Sequence, residues 1–287
     1  MAAEAVSLLA PRGDGLYVDC TLGFGGHTAA LLEAGAGRVI GVDRDPAALA
    51  FSRDRLAAFS ERVVFVHADY RELPAVLHAS GVMAIDGALA DLGVSSMQLD
   101  DPARGFSFRH DGPLDMRIDP TRGTPLSARL AEVDEAALAD VIYQYGEERR
   151  ARRVARAIVE ARSAGPLERT GQLASIVRRA AGGGTWQRLD PATRTFQALR
   201  IWVNDELAGL EGFLRSAVAA LALGGRLVVI AFHSLEDRVV KHTFRALEQE
   251  AQAGKVLTRR PLMPTEAERE RNPRARSARL RAVERVA

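Results

Sequence analysis

Strand and helix alternate strictly over the first hundred residues, and this pattern constrains the fold of the 287-residue chain more than any other feature. Short apolar segments, each of the length of one strand, are separated by helical segments. Such alternation is typical of a parallel sheet whose crossover helices cover both faces. The predicted strands cover residues 15–19, 38–43, 63–67, 85–91 and, after a long interruption, 226–232.

The interruption predicts an inserted subdomain. Between residues 99 and 190 the sequence first reads as a long loop and then becomes helical, without a convincing strand. We therefore expect a mainly helical insertion over residues 101–190. Residues 1–100 and 191–287 would together form a discontinuous sheet domain.

The sequence after the insertion is expected to complete the sheet. Asp190 and Pro191 are typical of a helix start, and apolar residues recur at spacings of three and four from Phe196 to Leu214. This helix is predicted to pack on the sheet. The tail beyond Lys255 alternates between apolar and polar residues, which favours a final antiparallel hairpin at the sheet edge.

Composition places the chain among ordinary folded proteins, with 47% hydrophobic and 26% charged residues. The single cysteine, Cys20, excludes an intramolecular disulfide and a cysteine-based zinc site, and no metal is expected. The N-terminus lacks the basic residues of a signal peptide, and the most apolar window, residues 216–232, is broken by glycine and arginine. We therefore expect a cytoplasmic protein without membrane association.

Charge is distributed unevenly, although the net charge is only +2. Residues 1–100 hold 7 basic and 13 acidic residues, whereas residues 147–179 hold 9 and 4, and residues 253–287 hold 10 and 4. This asymmetry favours a polyanionic partner such as a nucleic acid. Only two of the 39 basic residues are lysines, so a bias in genome composition is the alternative explanation.

A glycine-rich turn, with the sequence DCTLGFGGH over residues 19–27, follows the first predicted strand and precedes a helix. Such a turn lets the backbone approach a ligand beside a helix N-terminus, which is typical of a nucleotide site. A dinucleotide fingerprint requires a third glycine where this chain has Thr28, which disfavours a nicotinamide-dependent oxidoreductase. An ordinary tight turn is the alternative.

Polar residues end the next two predicted strands. Asp43 ends the second strand, where a carboxylate accepts hydrogen bonds from ribose hydroxyls, whereas Asp45 precedes a proline and is predicted to cap the next helix. Asp69 and Tyr70 follow the third strand, where Tyr70 would stack on an adenine and Asp69 would accept from its amino group. A helix cap and an ordinary surface aromatic are equally compatible with this spacing.

Two further polar clusters follow the fourth and fifth strands. Asp91 ends the fourth strand and is the first candidate for catalysis. His233, Ser234 and Asp237 follow the fifth strand. They are further catalytic candidates, expected to face the substrate at the same edge of the sheet. A Ser/His/Asp hydrolase is disfavoured because no G-x-S-x-G elbow precedes these residues.

Seven segments carry a more specific pattern that spans almost the whole chain. They read DCTLGFGGH (19–27), DRD (43–45), DLGVSSMQLDDPARGFSFRHDGPLDMR (91–117), YGEERRARRVARAIV (145–159), TRTFQALRIWVNDEL (193–207), GGRLVVIAFHSLEDRVVK (224–241) and NPRARSARLR (272–281). Together they resemble the bacterial ribosomal RNA small-subunit methyltransferase H family.

The resemblance implies an α/β fold of the Rossmann-like class I S-adenosylmethionine methyltransferases, with an inserted helical subdomain. It also implies methylation of N4 of a cytidine in the decoding region of 16S rRNA, within the small ribosomal subunit. The oligomeric state stays open, and a homodimer is one possibility. The S-adenosylmethionine positions of the family carry over onto Gly25, Gly26, His27, Asp43, Tyr70, Asp91 and Gln98.

An arginine stripe in the insertion is a candidate RNA contact. At about 100° per residue, a helix predicted from Gly146 would place these arginines on one face and apolar residues on the other. A solvated helix face is the alternative. The stripe consists of Arg149, Arg152, Arg153 and Arg156.

The long loop of the insertion supplies a second candidate RNA contact. Phe106 and Arg109, together with Phe108, would stack on a splayed base, as in many complexes with single-stranded RNA. Alternatively, the same aromatic residues anchor the loop to a core.

Three other functions stay open from the sequence. The chain could be a methyltransferase for DNA, protein or a small molecule, or an RNA-binding factor with a degenerate nucleotide pocket. An NAD-dependent oxidoreductase is the third. The intact glycine-rich turn, Asp43 and Asp91 disfavour the second alternative, and Thr28 disfavours the third.

Overall fold

The computed structural model describes residues 1–182, 190–249 and 252–287. The chain divides into two compact units, one formed by residues 1–93 and 207–287 and the other by residues 94–206. Among the described residues, none of the helices has the length and apolar character needed to cross a membrane.

The first unit is built around a seven-stranded sheet with the order β3-β2-β1-β4-β5-β7-β6. Strands β1 to β5 are parallel, whereas β7 is antiparallel to β5 and β6 is antiparallel to β7. This Rossmann-like order is that of class I methyltransferases, as the sequence predicts. The strands are β1 (Leu16–Asp19), β2 (Arg38–Asp43), β3 (Val63–His67), β4 (Ile85–Asp91), β5 (Leu221–Ala231), β6 (Gly254–Val256) and β7 (Arg279–Arg285).

Helices cover both faces of this sheet. Numbered along the whole chain, the helices of this unit are α1 (Ala2–Leu9), α2 (Gly26–Glu33), α3 (Pro46–Arg55) and α4 (Leu73–Ala79), followed by α11 (Leu210–Ala220), α12 (Ser234–Gln249) and α13 (Glu266–Arg271). Successive strand residues point to opposite faces: Val18 packs in a core with α4, α11 and α12, whereas Tyr17 packs in a second core with α1, α2 and α3.

The second unit is helical and has its own core. Its helices are α5 (Ser96–Asp100), α6 (Leu126–Glu132), α7 (Glu135–Gly146), α8 (Ala151–Ala164), α9 (Thr170–Ala181) and α10 (Ala192–Asn204). Leu114, Met116 and Ile118 of the loop between α5 and α6 are buried in the same core. The loop is therefore part of the packed structure of this unit.

The segment after Asp190 departs from the sequence prediction. The expected single helix that packs on the sheet is wrong, because α10 ends at Asn204 and α11 begins at Leu210. Asp205 (φ 49°), the C-cap of α10, and Gly209 (φ 75°), the N-cap of α11, both adopt left-handed backbone, which interrupts the helix. Helix α10 packs in the core of the second unit, and only α11 packs on the sheet.

Asn204 fixes the loop of the second unit to the end of α10. Its Oδ1 accepts the N–H of Ile118 at 2.8 Å, and its Nδ2 donates to the carbonyls of Met116 and Arg200 at 2.7 and 2.9 Å. Met116 has a φ of 60°, which is uncommon for a non-glycine residue. The amide side chain thus supplies both donors and an acceptor to backbone that is itself strained.

We expect Asn204→Asp to lower the free energy of unfolding by about 1–3 kcal/mol, because a carboxylate cannot donate to the two carbonyls. Urea unfolding at neutral pH measures the change. Asn272→Asp is the matched control, since the Asn272 side chain only accepts, from the N–H of Arg274, and an aspartate preserves that bond. Equal stability of the two variants would contradict the role of the Asn204 amide.

Candidate active site

The glycine-rich turn connects β1 to α2 and begins the site. Gly23 and Gly25 adopt φ values of 50° and 70°, which side chains with a Cβ rarely tolerate. A Cβ at Gly26, the first residue of α2, would meet no atom within 4 Å. The N-terminus of α2 therefore borders open space, which suits the approach of a ligand to its backbone amides.

Thr28 explains why the dinucleotide fingerprint fails. Its hydroxyl donates to Oδ2 of Asp19 at 2.8 Å, and both residues are fully buried. Burial raises the pKa of the Asp19 carboxyl, although its hydrogen bonds with Thr28 and the N–H of Thr21 oppose this effect. A glycine at position 28 would leave this buried acid without its hydroxyl donor. The sequence analysis did not predict this pair. The only signal in the sequence was that position 28 holds threonine where the dinucleotide fingerprint requires glycine.

Asp43 is held by two backbone amides. Its Oδ2 accepts the N–H of Gly23 at 2.7 Å, and its Oδ1 accepts the N–H of Asp45 at 2.8 Å. Asp45 in turn caps α3, as predicted, by accepting the N–H of Ala47 at 3.0 Å. Burial raises the pKa of Asp43 to about 6, even though the two amides favour the carboxylate. Each oxygen retains a second lone pair for a hydroxyl donor.

His27, the second residue of α2, and Asp91, the last residue of β4, form a pair. Nε2 of His27 lies 3.3 Å from Oδ2 of Asp91, and the Thr21 hydroxyl accepts the N–H of Asp91 at 2.6 Å. Burial lowers the pKa of His27, but the contacts with Asp91 and the charge of Asp19 outweigh burial and raise it overall. The Asp91 carboxylate therefore stabilises the imidazolium form of His27.

The same pair presents two unused polar atoms. Nδ1 of His27 and Oδ1 of Asp91 are buried and have no hydrogen-bond partner among the described residues. Buried polar atoms are nearly always hydrogen-bonded in native proteins. Their position at the carboxyl end of the parallel strands is where ligands bind in open α/β sheets. This pair fits a bound nucleotide cofactor and its reaction partner better than a purely structural role.

Asp69 and Tyr70 lie at the end of β3, as the sequence indicates. Both carboxylate oxygens of Asp69 bond to Arg71, at 2.7 to 2.9 Å, and Arg44 lies 3.4 Å away. Burial raises the pKa of Asp69, but these arginines outweigh it and lower the pKa overall. Asp69 is thus an ion-pair and cap residue. The Tyr70 ring packs edge-on against Phe213, with 4.7 Å between ring centroids.

His233 belongs to the N-terminal cap of α12. Its Nδ1 accepts the N–H of Glu236 at 3.3 Å, and Oε2 of Glu236 accepts the N–H groups of Phe232 and His233 at 2.9 and 3.3 Å. This reciprocal pattern is that of a capping box, with histidine as the cap residue. Nε2 of His233 also lies 3.2 Å from Oε1 of Glu236. Nε2 is nevertheless buried without a hydrogen-bond partner among the described residues, so a catalytic role for His233 stays a prediction.

Asp237 is an anchor for β7, and its role in catalysis stays a prediction. Its carboxylate bonds to Arg281 at 2.7 and 3.2 Å and to Arg279 at 3.1 Å. Burial raises its pKa, but the two guanidinium groups outweigh burial and lower it overall. Ser234 is the first residue of α12 at the same sheet edge and stays a candidate.

In the second unit, Gln98 completes a capping box at the start of α5. Its Oε1 accepts the N–H of Ser95 at 2.8 Å, and its own N–H donates to the Ser95 hydroxyl at 3.3 Å. The carbonyl of this buried side chain therefore stabilises a helix start. Its assignment to the cofactor stays a prediction.

The arginine stripe lies on α8 and on the link before it. The predicted start at Gly146 is wrong, because α7 ends there and α8 begins at Ala151, so Arg149 lies in the link. The predicted faces are confirmed: the stripe arginines are exposed, whereas Ala151, Val154, Ala155 and Ile158 are buried. Arg156 lies 3.4 Å from Glu135 in an exposed pair that contributes little to stability.

Phe106 does not lie on the RNA-accessible surface that we expected. It is 6% exposed and belongs to the core of the second unit, and Phe108 packs edge-on against Phe196 at 4.8 Å. The alternative, in which these aromatics anchor the loop, is the correct one. Arg109 is exposed and stays a candidate contact.

A family model and two curated relatives match this chain over nearly its whole length. Residues 1–286 match the model of the MraW methylase family. A ribosomal RNA small subunit methyltransferase H from Sorangium cellulosum is 52% identical over 100% of this chain and 90% of its own length. The protein of the same name from Geotalea uraniireducens is 51% identical over 100% and 97%. A solved rRNA methylase from Streptococcus thermophilus has a TM-score of 0.45 at 11% identity, over 100% and 94%.

We expect affinity for S-adenosylmethionine to fall as the pH decreases below about 6, because protonation of Asp43 removes acceptor capacity from its carboxylate. Above that pH the carboxylate is ionised and affinity is retained. The loss should approach about tenfold per pH unit. Calorimetric titration between pH 5 and 8 measures it.

Asp43→Asn is the control for this pH dependence. It should bind more weakly at pH 8 and lack the step attributed to Asp43, while any contribution from His27 persists. A wild-type affinity that is constant down to pH 5 would contradict the role of the Asp43 carboxylate.

Proposed function

Because this chain belongs to the MraW methylase family, we propose that it methylates N4 of a cytidine in the decoding region of 16S rRNA. It is an S-adenosylmethionine-dependent methyltransferase of the ribosomal RNA small-subunit methyltransferase H group. The match over the full chain at about half identity supports the reaction. The unused buried oxygen of Asp91 is the observation that carries the chemistry.

The residues present fit S-adenosylmethionine. Gly25 and Gly26 leave the N-terminus of α2 open to a carboxylate, which a helix N-terminus stabilises. Asp43 has the remaining lone pairs to accept from two ribose hydroxyls. Tyr70, at the end of β3, lies where an aromatic would border the adenine. His27 has a buried Nδ1 that would bond to a polar group of the cofactor.

The chemistry on the target side depends on an acceptor for the amine hydrogen. Bound S-adenosylmethionine supplies an electrophilic methyl group. Cytosine N4 is a weak nucleophile, because its lone pair is delocalised into the ring. An oxygen that accepts one N4 hydrogen favours pyramidalisation of the nitrogen and removes its proton. We assign this role to Oδ1 of Asp91, while His27 holds Oδ2 at 3.3 Å.

The choice of N4 over ring carbon C5 is consistent with the cysteine content. Methylation at C5 generally requires a thiolate that adds to C6 of the ring. Cys20 is the only cysteine in the sequence, and it is buried in the apolar core with α4, α11 and α12. Burial raises the pKa of its thiol, which disfavours the thiolate. An amine nucleophile needs no such adduct.

The exposed arginines of α8 support binding of RNA. Arg152, Arg153 and Arg156 point away from the core of their unit, and Arg149 precedes them in the link. Cationic side chains on one helix face suit phosphate contacts, which set affinity without reading sequence. The substrate in this proposal is 16S rRNA in the small ribosomal subunit, and the enzyme acts in the cytoplasm where that subunit is assembled.

Nucleoside analysis of 16S rRNA tests the proposal directly. Deletion of the gene should remove one N4-methylated cytidine, and the wild-type gene should restore it. Asp91→Asn should fail to restore it, although the protein still folds and binds S-adenosylmethionine measurably. An unchanged nucleoside profile in the deletion strain would exclude the proposed substrate.

We expect a double Arg152→Gln and Arg153→Gln variant to bind RNA more weakly and with a flatter salt dependence. The slope of log affinity against log salt should fall by about 0.7 per lost contact with single-stranded RNA. Arg55→Gln, an exposed arginine on α3, is the matched control. An unchanged slope in the double variant would assign the stripe to an ordinary solvated surface.

We expect Cys20→Ala to retain most methyl transfer, because the reaction needs no thiolate. The substitution removes a buried sulfur, so a modest loss of stability of about 1 kcal/mol should accompany it. Single-turnover transfer and thermal unfolding separate the two effects. Complete loss of turnover in a folded variant with normal cofactor affinity would instead establish thiol-dependent chemistry.

A further inference from the structure

A cleft of about 450 Å³ lies between α11 and α12 in the first unit. Arg215 on α11 and Arg238 and His242 on α12 line it and are exposed, whereas Val239 and Thr243 line it and are more buried. The proposed cofactor contacts lie on the turn after β1 and at the ends of β2 to β4, so none of them belongs to this cleft. Its lining is rich in hydrogen-bond donors.

The charges in the cleft favour an anion. Arg215 and Arg238 supply guanidinium groups to the lining, His242 supplies a ring N–H donor, and the one carboxylate among the lining residues is that of Glu211, which lies 2.9 Å from Arg215. Both members of this pair are exposed, and exposed pairs one helical turn apart contribute little to stability. A phosphate oxygen can therefore compete with Glu211 for the Arg215 guanidinium.

The Thr243 hydroxyl is the second, independent sign of a ligand. Thr243 is 3% exposed, and its Oγ1 is buried with no hydrogen-bond partner among the described residues. A threonine inside a helix usually bonds back to the carbonyl four residues earlier, but no such bond forms here. An unsatisfied buried hydroxyl is costly, and a phosphate oxygen in the cleft would satisfy it.

The connectivity places one end of this cleft near the sheet edge that carries the active site. Helix α12 follows β5 after two residues, so Arg238 lies roughly 6 Å beyond the start of α12, whereas His242 and Thr243 lie about 12–14 Å beyond it. Helix α11 runs directly into the start of β5, so its own first turn lies toward the opposite, carboxyl edge. The contact between Phe213 and Tyr70 at the end of β3 agrees with this direction.

We propose that the cleft between α11 and α12 binds backbone phosphates of the RNA strand that flanks the target nucleotide. The inference rests on the proposed function, since it takes RNA as the substrate. Arg215, His242 and the Thr243 hydroxyl supply the donors, and Glu211 weakens the site in the absence of RNA. The cleft thus contributes affinity for the strand and no sequence readout.

The test compares variants of the full-length protein, with the 16S rRNA of small ribosomal subunits purified from a strain that lacks the gene as the RNA substrate. The double variant Arg215→Gln and His242→Gln should raise KM for RNA with little change in kcat, and flatten the salt slope by about 0.7 per lost contact. Arg245→Gln, an exposed arginine of α12 that does not line the cleft, is the matched control. Affinity for S-adenosylmethionine should be unchanged in both.

Two further substitutions should have effects that a purely structural role of Glu211 and Thr243 would not produce. Glu211→Gln should tighten RNA binding, whereas Glu61→Gln, which changes the net charge equally at an exposed position outside the cleft, should not. Thr243→Val should raise the melting temperature, because it removes an unsatisfied hydroxyl, and should weaken RNA binding at the same time. Loss of RNA affinity with greater stability separates a ligand role from a folding defect.

The outcomes separate this inference from the proposed function. If the double variant has the same RNA affinity and KM as Arg245→Gln, and the wild type methylates normally, the RNA-binding role of the cleft is overturned and the proposed function is not. Inorganic phosphate that stabilises the wild type but not the double variant, with equal RNA affinity, would assign a small-anion site and also overturn it. A wild type that neither binds nor methylates the RNA would overturn both.

Discussion

Three parallel strands end in aspartates at the same edge of the sheet, and the functional half of the molecule depends on how these carboxylates are satisfied. Asp19, at the end of β1, takes a threonine hydroxyl and is fully buried. Asp43, at the end of β2, takes two backbone amides, and Asp91, at the end of β4, takes one imidazole nitrogen. Asp19 also accepts the N–H of Thr21 at 3.3 Å, so both oxygens of Asp19 and of Asp43 are hydrogen-bonded, whereas only one oxygen of Asp91 is. The least satisfied carboxylate is the one with capacity left for a reacting group, so position in the sheet and chemical role are linked through hydrogen bonding.

The residues that looked most reactive in the sequence have largely structural contacts. His233 and Gln98 both belong to capping boxes, in which a side chain satisfies backbone amides that have no partner inside the helix. Asp237 pairs with arginines of β7. Helix starts at the carboxyl edge of a parallel sheet require such acceptors, so polar residues concentrate there whether or not they touch a substrate. His233 combines both features, because its Nδ1 accepts a backbone N–H of the helix start while its Nε2 is buried without a hydrogen-bond partner among the described residues.

The sheet was largely predictable from the sequence, whereas the partners of individual side chains were not. Strands β2, β3 and β4 coincide with their predicted ranges because each is a short apolar segment between clear turns. The apolar residues keep their helical spacing across Asp205 and Gly209, so the spacing does not reveal the break between α10 and α11. The break depends on the left-handed backbone of these two residues. The placement of Asp43 and Asp91 followed from strand ends alone. The pairing of Asp237 with Arg281, and the burial of Phe106, depend on tertiary packing between segments far apart in the chain.

The position of β7 has a consequence for the order in which the sheet is assembled. This strand lies between β5 and β6 in space but follows both in sequence, and its arginines neutralise the buried Asp237. Until residues 279–285 leave the ribosome, β5 has an unpaired edge, and α12 carries an acid without its cations. Exposed strand edges are templates for association with other chains. Closure of the β5 edge and neutralisation of Asp237 are therefore coupled, because both depend on the same strand.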